Sequence, residues 1–339
     1  MFSKLTRCLF TQIRNIVRDT KVGVLGVPFE NGQPKIGVGN GPRFIRDGGL
    51  IQSLKEIHAY MDVVDYGDVT YTIDPQIQNV PNMKEYVHMV SCSREVTKRV
   101  TEIIKDGRVC LTVGGDHAIA VATVDGHIQA VSHDIILVWI DAHADLNTSH
   151  TSDSGNTHGM PVALLAKELS DYWPYLPGMD WQNPVMSIKN LVYFGLRAVD
   201  SYERLIIEKL GILAFGMEEI ETYGIDACIN MAFEKLDPDK QKSIHVSFDI
   251  DALDAFEAPS TGTPVRGGLT LREGVHIMEA VHRSGRLTAM DLVEVNPSIG
   301  SKKDVDITVS AAIHVIKAAF GFNRKGLKPS NVSDLPKHT

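Results

Sequence analysis

The sequence predicts an α/β protein: a single three-layer α/β/α domain around a central, mainly parallel sheet of about eight strands. Short apolar runs alternate with longer helical stretches, which is the order of elements in parallel sheets covered by helices. No Pro/Gly/Ser-rich linker, low-complexity tract or internal repeat divides the 339 residues, and 43% apolar residues are enough to fill one large core.

The predicted strands are the short apolar runs, and a helical stretch separates most of them. The run 135–140 is apolar throughout, as expected of a strand buried on both faces. The longest predicted helix spans 82–106, and others span 159–169 and 271–282. The predicted strands are 21–27, 60–65, 109–113, 135–140, 191–195, 211–215, 244–249 and 287–293.

Composition and charge narrow the range of partners. The formal net charge of −8 gives no electrostatic attraction to nucleic acid or to anionic lipid. No apolar run reaches the length that is needed to span a membrane. The four cysteines are sparse and unpatterned, which fits a reducing compartment and indicates no zinc site. We therefore expect a small-molecule substrate, with no nucleic acid and no membrane as partner.

A set of alternating metal-binding side chains follows the apolar run 135–140. On an extended backbone, successive side chains alternate between faces, so Asp141, His143 and Asp145 can point to one side while two alanines point away. Three desolvated polar groups without a cation would be costly. The segment therefore predicts part of a metal site.

Two further predicted strands end in the same kind of side chain. Asp249 and Asp251 follow the run 244–248, and 109–113 opens into Gly-Gly-Asp-His, where two glycines permit a tight turn that brings in His117. Alone, each fragment is typical of an ordinary loop; together they indicate one site. The six candidate ligands are His117, Asp141, His143, Asp145, Asp249 and Asp251.

Four carboxylates and two imidazoles without a thiolate favour oxygen-preferring ions over structural zinc. One divalent ion would leave a large excess of negative charge, so two ions are expected. Mixed imidazole and carboxylate ligation makes two Mn²⁺ ions the first choice of cofactor, and Fe²⁺, Co²⁺ and Ni²⁺ stay open because the order of affinities does not select Mn²⁺.

With these motifs the chain resembles the arginases of the ureohydrolase family over about residues 22–328. Their order, spacing and identity agree over nearly the whole chain. The matching segments are Gly-Gly-Asp-His (114–117), Asp-Ala-His-Ala-Asp-Leu-Asn (141–147), Ser-Gly-Asn-Thr-His-Gly (154–159), Ser-Phe-Asp-Ile-Asp-Ala-Leu-Asp (247–254), Thr-Gly-Thr-Pro-Val (261–265) and Glu-Val-Asn-Pro-Ser (294–298).

The resemblance implies hydrolysis of L-arginine to L-ornithine and urea by a hydroxide held between two manganese ions. In this reading, Asp141 and Asp249 bridge the ions. A guanidinium carbon is a poor electrophile because its charge is spread over three nitrogens, so water must be activated. The departing amine needs a proton, which Asp145 can pass on. His158, on a glycine-flanked loop, is the expected proton shuttle, with a pKa near neutrality.

The resemblance also implies residues that select the substrate. Glu294 is expected to bind the guanidinium, with Thr263 helping to orient it. The substrate carboxylate would contact Asn147, Ser154 and Asn156, and its ammonium would contact Asp200, assisted by Glu203. This set favours arginine over agmatine, which has no carboxylate. Alternatively, the loop residues 154–156 are ordinary turn formers, and Asp200 is the N-cap of the following helix.

Three positions depart from the arginase pattern. Ala198 stands where arginases usually carry an aspartate, which puts part of the ammonium-binding network in doubt. Ala118 and Ala255 replace a usual serine and a usual proline, and neither change removes a ligand. The family resemblance also implies a homo-oligomer in the form of a homotrimer, with 322–326 as a candidate contact segment.

The first residues differ in character from the rest of the chain. Residues 1–18 carry four basic residues and no acidic one, and their apolar residues recur at helical spacing. This pattern is typical of a mitochondrial transit peptide, with a docked or disordered extension and a cytoplasmic location as the alternative. We therefore predict a transit segment at 1–20, an arginase-like catalytic domain at 21–330 and a tail at 331–339.

Three rival functions differ in what they require of the site. An agmatinase or guanidinobutyrase would share the metal site and differ in substrate. A non-catalytic metal-binding member would have no need of His158 and Glu294. A dinuclear phosphatase would call for Arg or Lys beside the metals, whereas these motifs supply mostly neutral and acidic groups.

Overall fold

A computed structural model describes residues 20–57, 61–326, 332 and 334–336. Its eight strands form one sheet in the order β2-β1-β3-β8-β7-β4-β5-β6, and every neighbouring pair is parallel. The strands are β1 Lys21–Val27, β2 Asp62–Asp68, β3 Val109–Gly114, β4 Ile135–Ile140, β5 Leu191–Phe194, β6 Leu213–Phe215, β7 Ser243–Asp249 and β8 Leu287–Val293.

Helices cover both faces of the sheet, which confirms the predicted three-layer arrangement. Within the described residues they are α1 Gly41–Asp47, α2 Leu50–Lys55, α3 Tyr86–Lys105, α4 Ala120–Val131, α5 Pro161–Leu165, α6 Ser201–Leu210, α7 Met217–Tyr223, α8 Ile225–Leu236, α9 Leu271–Ser284 and α10 Lys302–Ala319. None of these described helices is both long and apolar enough to cross a bilayer.

The central strand β4 shows how both layers of helices pack on the sheet. Its six residues are all buried. Ile136, Val138 and Ile140 belong to the core that includes α8, α9 and α10, whereas Leu137 and Trp139 pack in the core that includes α4 and α5. Burial on both faces explains why this strand is apolar without alternation.

Two helices differ from their predicted bounds by four residues at one end. α3 begins at Tyr86 rather than at 82, because Asn82 and Glu85 take left-handed backbone conformations that a helix does not contain. α5 ends at Leu165 rather than at 169, because Ala166 becomes extended and forms a β-bridge with Met186. A 3₁₀ turn follows, from Lys167 to Tyr172.

The strand order decides where the polar strand ends meet. β3, β8, β7 and β4 are consecutive neighbours, although β8 is last in the chain. Because all of these strands are parallel, their carboxyl ends lie at one edge of the sheet, where such folds commonly bind ligands. The segments that follow these four strands build the site.

Candidate metal centre

His117, Asp141, Asp249 and Glu294 come from the ends of four adjacent strands. His117 is three residues past β3, Asp141 and Glu294 directly follow β4 and β8, and Asp249 is the last residue of β7. The turn after β3 requires glycine, because a Cβ at Gly115 would lie 1.8 Å from a backbone oxygen of Phe29. This tight approach brings His117 over the edge of the sheet.

The segment after β4 does not continue as an extended strand. The Asp141 carboxylate accepts a hydrogen bond from the backbone N–H of His143 at 2.7 Å, which bends the chain. Asp145 adopts a left-handed backbone with φ +49°. The extended alternation on which the prediction was based therefore ends at Asp141, although Asp141, His143 and Asp145 all reach the same cluster.

The candidate ligands form two groups that share Asp141. One consists of His117, Asp141 and Asp145, the other of Asp141, His143 and Asp251, and within each group the ligand atoms lie within 4.8 Å of one another. Asp141 Oδ2 is 3.1 Å from His117 Nδ1, while its Oδ1 is 3.4 Å from His143 Nδ1. The two oxygens of one carboxylate therefore face two ion positions.

Asp249 lies beside the first group. Its Oδ2 is 3.2 Å from His117 Nδ1, and its Oδ1 accepts the backbone N–H of Asp251. The structure thus brings all six predicted ligands together, with no contact that joins Asp249 to His143. We call His117, Asp145 and Asp249 the His117 end, and His143 with Asp251 the His143 end.

The electrostatics of this cluster fit divalent cations. Burial and the charge of Asp141 raise the pKa of Asp145 to about 6. Burial and the charges of Asp251 and Asp141 raise the pKa of Asp249 well above its usual value. Burial disfavours a charged His143, but its hydrogen bonds with Asp141 and Asp251 outweigh this effect and raise its pKa to about 12. Crowded carboxylates thus demand positive charge, which two divalent ions would supply.

His117 is supported by residues that the sequence analysis missed. Its ring stacks on Trp139 with centroids 4.1 Å apart, and its Nε2 lies 2.9 Å from Ser247 Oγ. Trp139 Nε1 also donates to Asp141. Trp139 and Ser247 each precede a ligand by two residues on a buried strand, and this shared facing could have identified them.

Half-buried His158 and buried Glu294 form a pair next to the His117 end. Glu294 Oε1 lies 3.0 Å from His158 Nδ1 and accepts the backbone N–H of His117. Burial opposes a charged ring, but the hydrogen bond and charge of Glu294 outweigh it and raise the pKa of His158 to about 9. This is higher than the predicted pKa near neutrality, because the sequence did not show how close Glu294 lies.

Glu294 holds a strained backbone, with φ +64° at a non-glycine residue. Such conformations cost about 1–3 kcal/mol and persist where the surroundings impose them. Its backbone N–H donates to Gly115, and its side chain is buried behind His158. This strained backbone thus places the carboxylate where it contacts both the backbone N–H of His117 and the ring of His158.

A cavity of about 380 Å³ opens beside the ligands. The predicted substrate-binding residues Asn147, Ser154, Asn156, Asp200, Glu203 and Thr263 all line it, together with His143, Asp145, His158, Asp249 and Ala198. Glu294 is outside this lining. A larger groove of about 580 Å³ near β6 contains no candidate ligand, so we place the site in the smaller cavity.

One wall of the cavity is tied together by hydrogen bonds. Asp200 is the N-cap of α6, as the alternative interpretation expected, and its backbone N–H donates to Glu203. Asn147 Nδ2 donates to Asp200 Oδ2 at 2.9 Å. Glu203 also accepts the backbone N–H of Leu146, and burial raises its pKa to about 7. Glu203 therefore anchors the wall.

The opposite wall is the loop that carries Ser154 and Asn156. Ser154 Oγ accepts the backbone N–H of Asn156, which is the local turn contact that the alternative interpretation expected. Two residues that the sequence analysis missed hold this loop from outside. Asn82 donates to the backbone of the loop, and Lys84 Nζ lies 3.3 Å from Asn156 Oδ1.

Thr263 and Ala198 complete the cavity. The hydroxyl of Thr263 donates to Asp251 Oδ2 at 2.9 Å, so the contact that the structure gives it is with a candidate ligand rather than with Glu294. Ala198 supplies only a methyl group beside Asp200, which agrees with the missing aspartate noted in the sequence.

The arginase family model matches residues 20–321 of this chain. The chain belongs to the arginase family. It is 44% identical over 312 residues to a hepatic arginase of Aquarana catesbeiana, covering 92% of this chain and 96% of the relative. It is 41% identical to human arginase-2, described as mitochondrial, covering 95% of this chain and 91% of the relative.

Solved structures of the family share its fold. An arginase from Bacillus subtilis superposes with a TM-score of 0.77 at 32% identity, covering 90% of this chain and 99% of the bacterial one. The family match begins at residue 20, directly before β1. The predicted fold class and the predicted arginase family are both confirmed.

Proposed function

We propose that this family member hydrolyses L-arginine to L-ornithine and urea at a centre of two Mn²⁺ ions. The observation that carries the proposal is the pair of ligand groups sharing Asp141, in a chain at least 41% identical to proteins named arginase. Imidazole and carboxylate donors without a thiolate favour Mn²⁺.

The residues that would hold the ions divide between the two ends. His117 and Asp145 would ligate one ion, His143 and Asp251 the other, and Asp141 and Asp249 would ligate both. When bound, the two ions would supply the acidity that makes water nucleophilic near neutral pH.

Proton movement can then be assigned to side chains of this chain. Water adds to the guanidinium carbon, and the bond to the ornithine nitrogen breaks as that nitrogen receives a proton. Asp145 lines the cavity and can hold and pass on this proton beside the reacting carbon. His158 lines the same cavity and, with its pKa raised to about 9, is a proton donor at neutral pH.

The far end of the cavity fits an α-amino acid. Asn147, Ser154 and Asn156 offer neutral donors for a carboxylate, and Asp200 offers an anion for an ammonium group. Lys84, in contact with Asn156, adds a positive charge at that wall. A positive charge there favours a substrate with a carboxylate, hence arginine rather than agmatine.

The test is a urea assay of the Mn²⁺-loaded protein with arginine, agmatine and guanidinobutyrate. We expect urea and ornithine from arginine, with lower kcat/KM for the other two. If agmatine or guanidinobutyrate is turned over faster than arginine, that compound and not arginine is the substrate. Two bound ions with no urea from any of the three would reject catalysis.

We also propose import into mitochondria directed by the first 20 residues, of which 1–19 lie outside the described residues. The supporting observations are the basic, acid-free composition of residues 1–18 and the similarity to an arginase described as mitochondrial. A fusion of residues 1–25 to a fluorescent protein should localise to mitochondria, and a cytoplasmic signal would contradict this.

For assembly we propose a homotrimer, with residues 322–326 near the contact. Within one chain, Arg324 already pairs with Glu279 at 2.7 Å, so this segment is held against α9 in a fixed position. Light scattering of the purified full chain should give three times the monomer mass of 37.3 kDa. A monomer mass would contradict the proposal.

A further inference from the structure

A chain of buried polar side chains leads from His117 into the core, away from the cavity. It lies between α4 and strands β7 and β8, in surroundings that are otherwise apolar. All of its members are buried except Ser243, which is partly exposed at the start of β7. The members of this buried polar chain are His117, Ser247, Asp291, Thr123, His245, His127 and Ser243.

Asp291 is the point where the buried polar chain converges. Its Oδ2 accepts from Thr123 Oγ1 at 2.6 Å and from Ser247 Oγ at 3.2 Å, and it lies 2.9 Å from His245 Nε2. Ser247 Oγ in turn lies 2.9 Å from His117 Nε2. Three donor groups therefore converge on one carboxylate oxygen. One of them, Ser247, also contacts the candidate ligand His117.

The part of the buried polar chain beyond Asp291 consists of His245, His127 and Ser243. His245 Nδ1 lies 3.3 Å from His127 Nδ1, and His127 Nε2 lies 3.1 Å from Ser243 Oγ. Burial, together with the neighbouring rings of His245 and His133, lowers the pKa of His127 well below its usual value, so this ring is neutral. His245 is thus held between a neutral ring and the carboxylate, with its Nε2 proton toward Asp291.

The direction of each hydrogen bond at His117 follows from this arrangement. Ser247 Oγ donates its single proton to Asp291 Oδ2 at 3.2 Å. Ser247 Oγ can then only accept from His117, which requires the proton of that ring on Nε2. The lone pair is left on Nδ1, the atom that lies 3.1–3.2 Å from oxygens of Asp141, Asp145 and Asp249.

Two observations fit this assignment. Nδ1 of His117 is buried, and no N–H or O–H group among the described residues donates to it, as expected of an atom that presents a lone pair to a cation. At the other end of the centre, no hydrogen bond within the described residues reaches Nε2 of His143, whose side chain is 28% exposed. The restraint is therefore specific to the His117 end.

We propose that Asp291 is a positioning residue which, through Ser247, fixes the tautomer of His117 and so sets the affinity of one of the two ions. The proposal rests on the two-ion centre and is independent of which guanidino substrate is hydrolysed. His245 and Thr123 hold the carboxylate in place from either side. The ion at the His143 end does not depend on this restraint.

The test compares Mn²⁺ binding to Asp291→Asn and Ser247→Ala with binding to the unchanged full chain, by calorimetric titration after removal of metal. Loss of a group that orients a ligand typically costs about 10–100-fold in metal affinity. We expect the dissociation constant of the ion at the His117 end to rise by that factor. The dissociation constant of the ion at the His143 end, which lacks this restraint, should change less than about threefold.

Thr112→Val is the matched control. Thr112 is buried and lies beside Asp291 in the register of β3 and β8, but it has no bond to the buried polar chain within the described residues. Both dissociation constants should stay within about threefold in this variant. If Asp291→Asn does not fold, Ser247→Ala, which removes only a hydroxyl, decides the question alone.

A spectroscopic measurement separates tautomer control from a loss of packing. In protein carrying ¹⁵N-histidine and loaded with diamagnetic Zn²⁺, His117 should show a protonated Nε2 and a metal-bound Nδ1. Asp291→Asn should add a population with the proton on Nδ1. A protonated Nδ1 in the unchanged protein, or unaltered Mn²⁺ binding in both variants, would overturn the inference; two-ion binding without urea release would overturn only the proposed function.

Discussion

The two histidines of the metal centre contact the same carboxylate from very different surroundings. His117 is 1% exposed, stacks on Trp139 and has Ser247 behind it. His143 is 28% exposed and lines the cavity. Each lies near a different oxygen of Asp141. One end of the centre is thus built into the core, and the other faces the space for a substrate.

This comparison shows that two histidines with the same predicted role as ligands depend on the tertiary structure in different ways. A buried ligand has to be oriented by partners, because a wrongly placed proton cannot be exchanged with water. A ligand at the cavity can reorient and stays accessible to solvent. Variants at the two ends should therefore change different quantities, in the order of effect that follows.

The largest effect should come from Asp141, because its carboxylate serves both ends. In Asp141→Asn we expect loss of both ions after gel filtration and a fall in kcat/KM for arginine of at least about 10³-fold. Metal content by mass spectrometry and urea release measure these together. Asp153→Asn, in the same cavity lining, is the control and should keep both ions. Retention of one tightly bound ion in Asp141→Asn would show that the carboxylate is not shared.

Alanine at each histidine should separate the two ends. His117→Ala removes a buried stacked ring, so the free energy of unfolding of the metal-free protein should fall by about 2–4 kcal/mol, as for other large-to-small core changes. His143→Ala removes a partly exposed ring, and the fall should be below about 1.5 kcal/mol. Chemical unfolding in the presence of EDTA measures both. Equal losses would remove the distinction between a core end and a cavity end.

Glu294→Gln should act through His158, next to the His117 end. The protonated ring is the form that donates a proton, and Glu294 helps to raise its pKa to about 9. Without that charge the pKa of His158 falls. As the pH is raised, the ring therefore loses its proton at a lower pH than in the unchanged protein. We expect the alkaline limb of the kcat–pH profile to move to lower pH, with about 10–10²-fold lower kcat above it. An unmoved limb would exclude His158 as the donor.

Thr263→Val should have the smallest effect. Thr263 donates to Asp251 at the His143 end, as Ser247 contacts His117 at the other end, but Thr263 is exposed. Water can replace its hydroxyl, so the affinity for the second ion should fall less than about fivefold, below the usual range for a buried partner. Titration with Mn²⁺ measures this. A loss as large as that in Ser247→Ala would show that burial does not set the strength of the restraint.

Much of the site was predictable because the ligands directly follow buried strands. Asp141 and Asp249 are placed by β4 and β7, whose apolar residues and bounds are evident in the sequence. Parallel strands bring such ends to one edge whatever their order. The six ligands could therefore be grouped before any contact was known.

The division of these ligands between two ends could not be predicted. It depends on the bend after Asp141 and the left-handed backbone of Asp145, which come from local hydrogen bonds rather than from alternation. The position of Glu294 beside His158 likewise requires β8 to lie between β3 and β7, although it is last in the chain.

By itself, the sequence determined the fold class, the family and the set of candidate ligands, because apolar periodicity and side-chain chemistry are local properties. Only the tertiary structure decided which of those ligands share Asp141, that Lys84 adjoins Asn156, and that Asp291 stands behind His117. These contacts join residues far apart in the chain, and their distances depend on strand order and on the exact course of the turns, which no local pattern encodes.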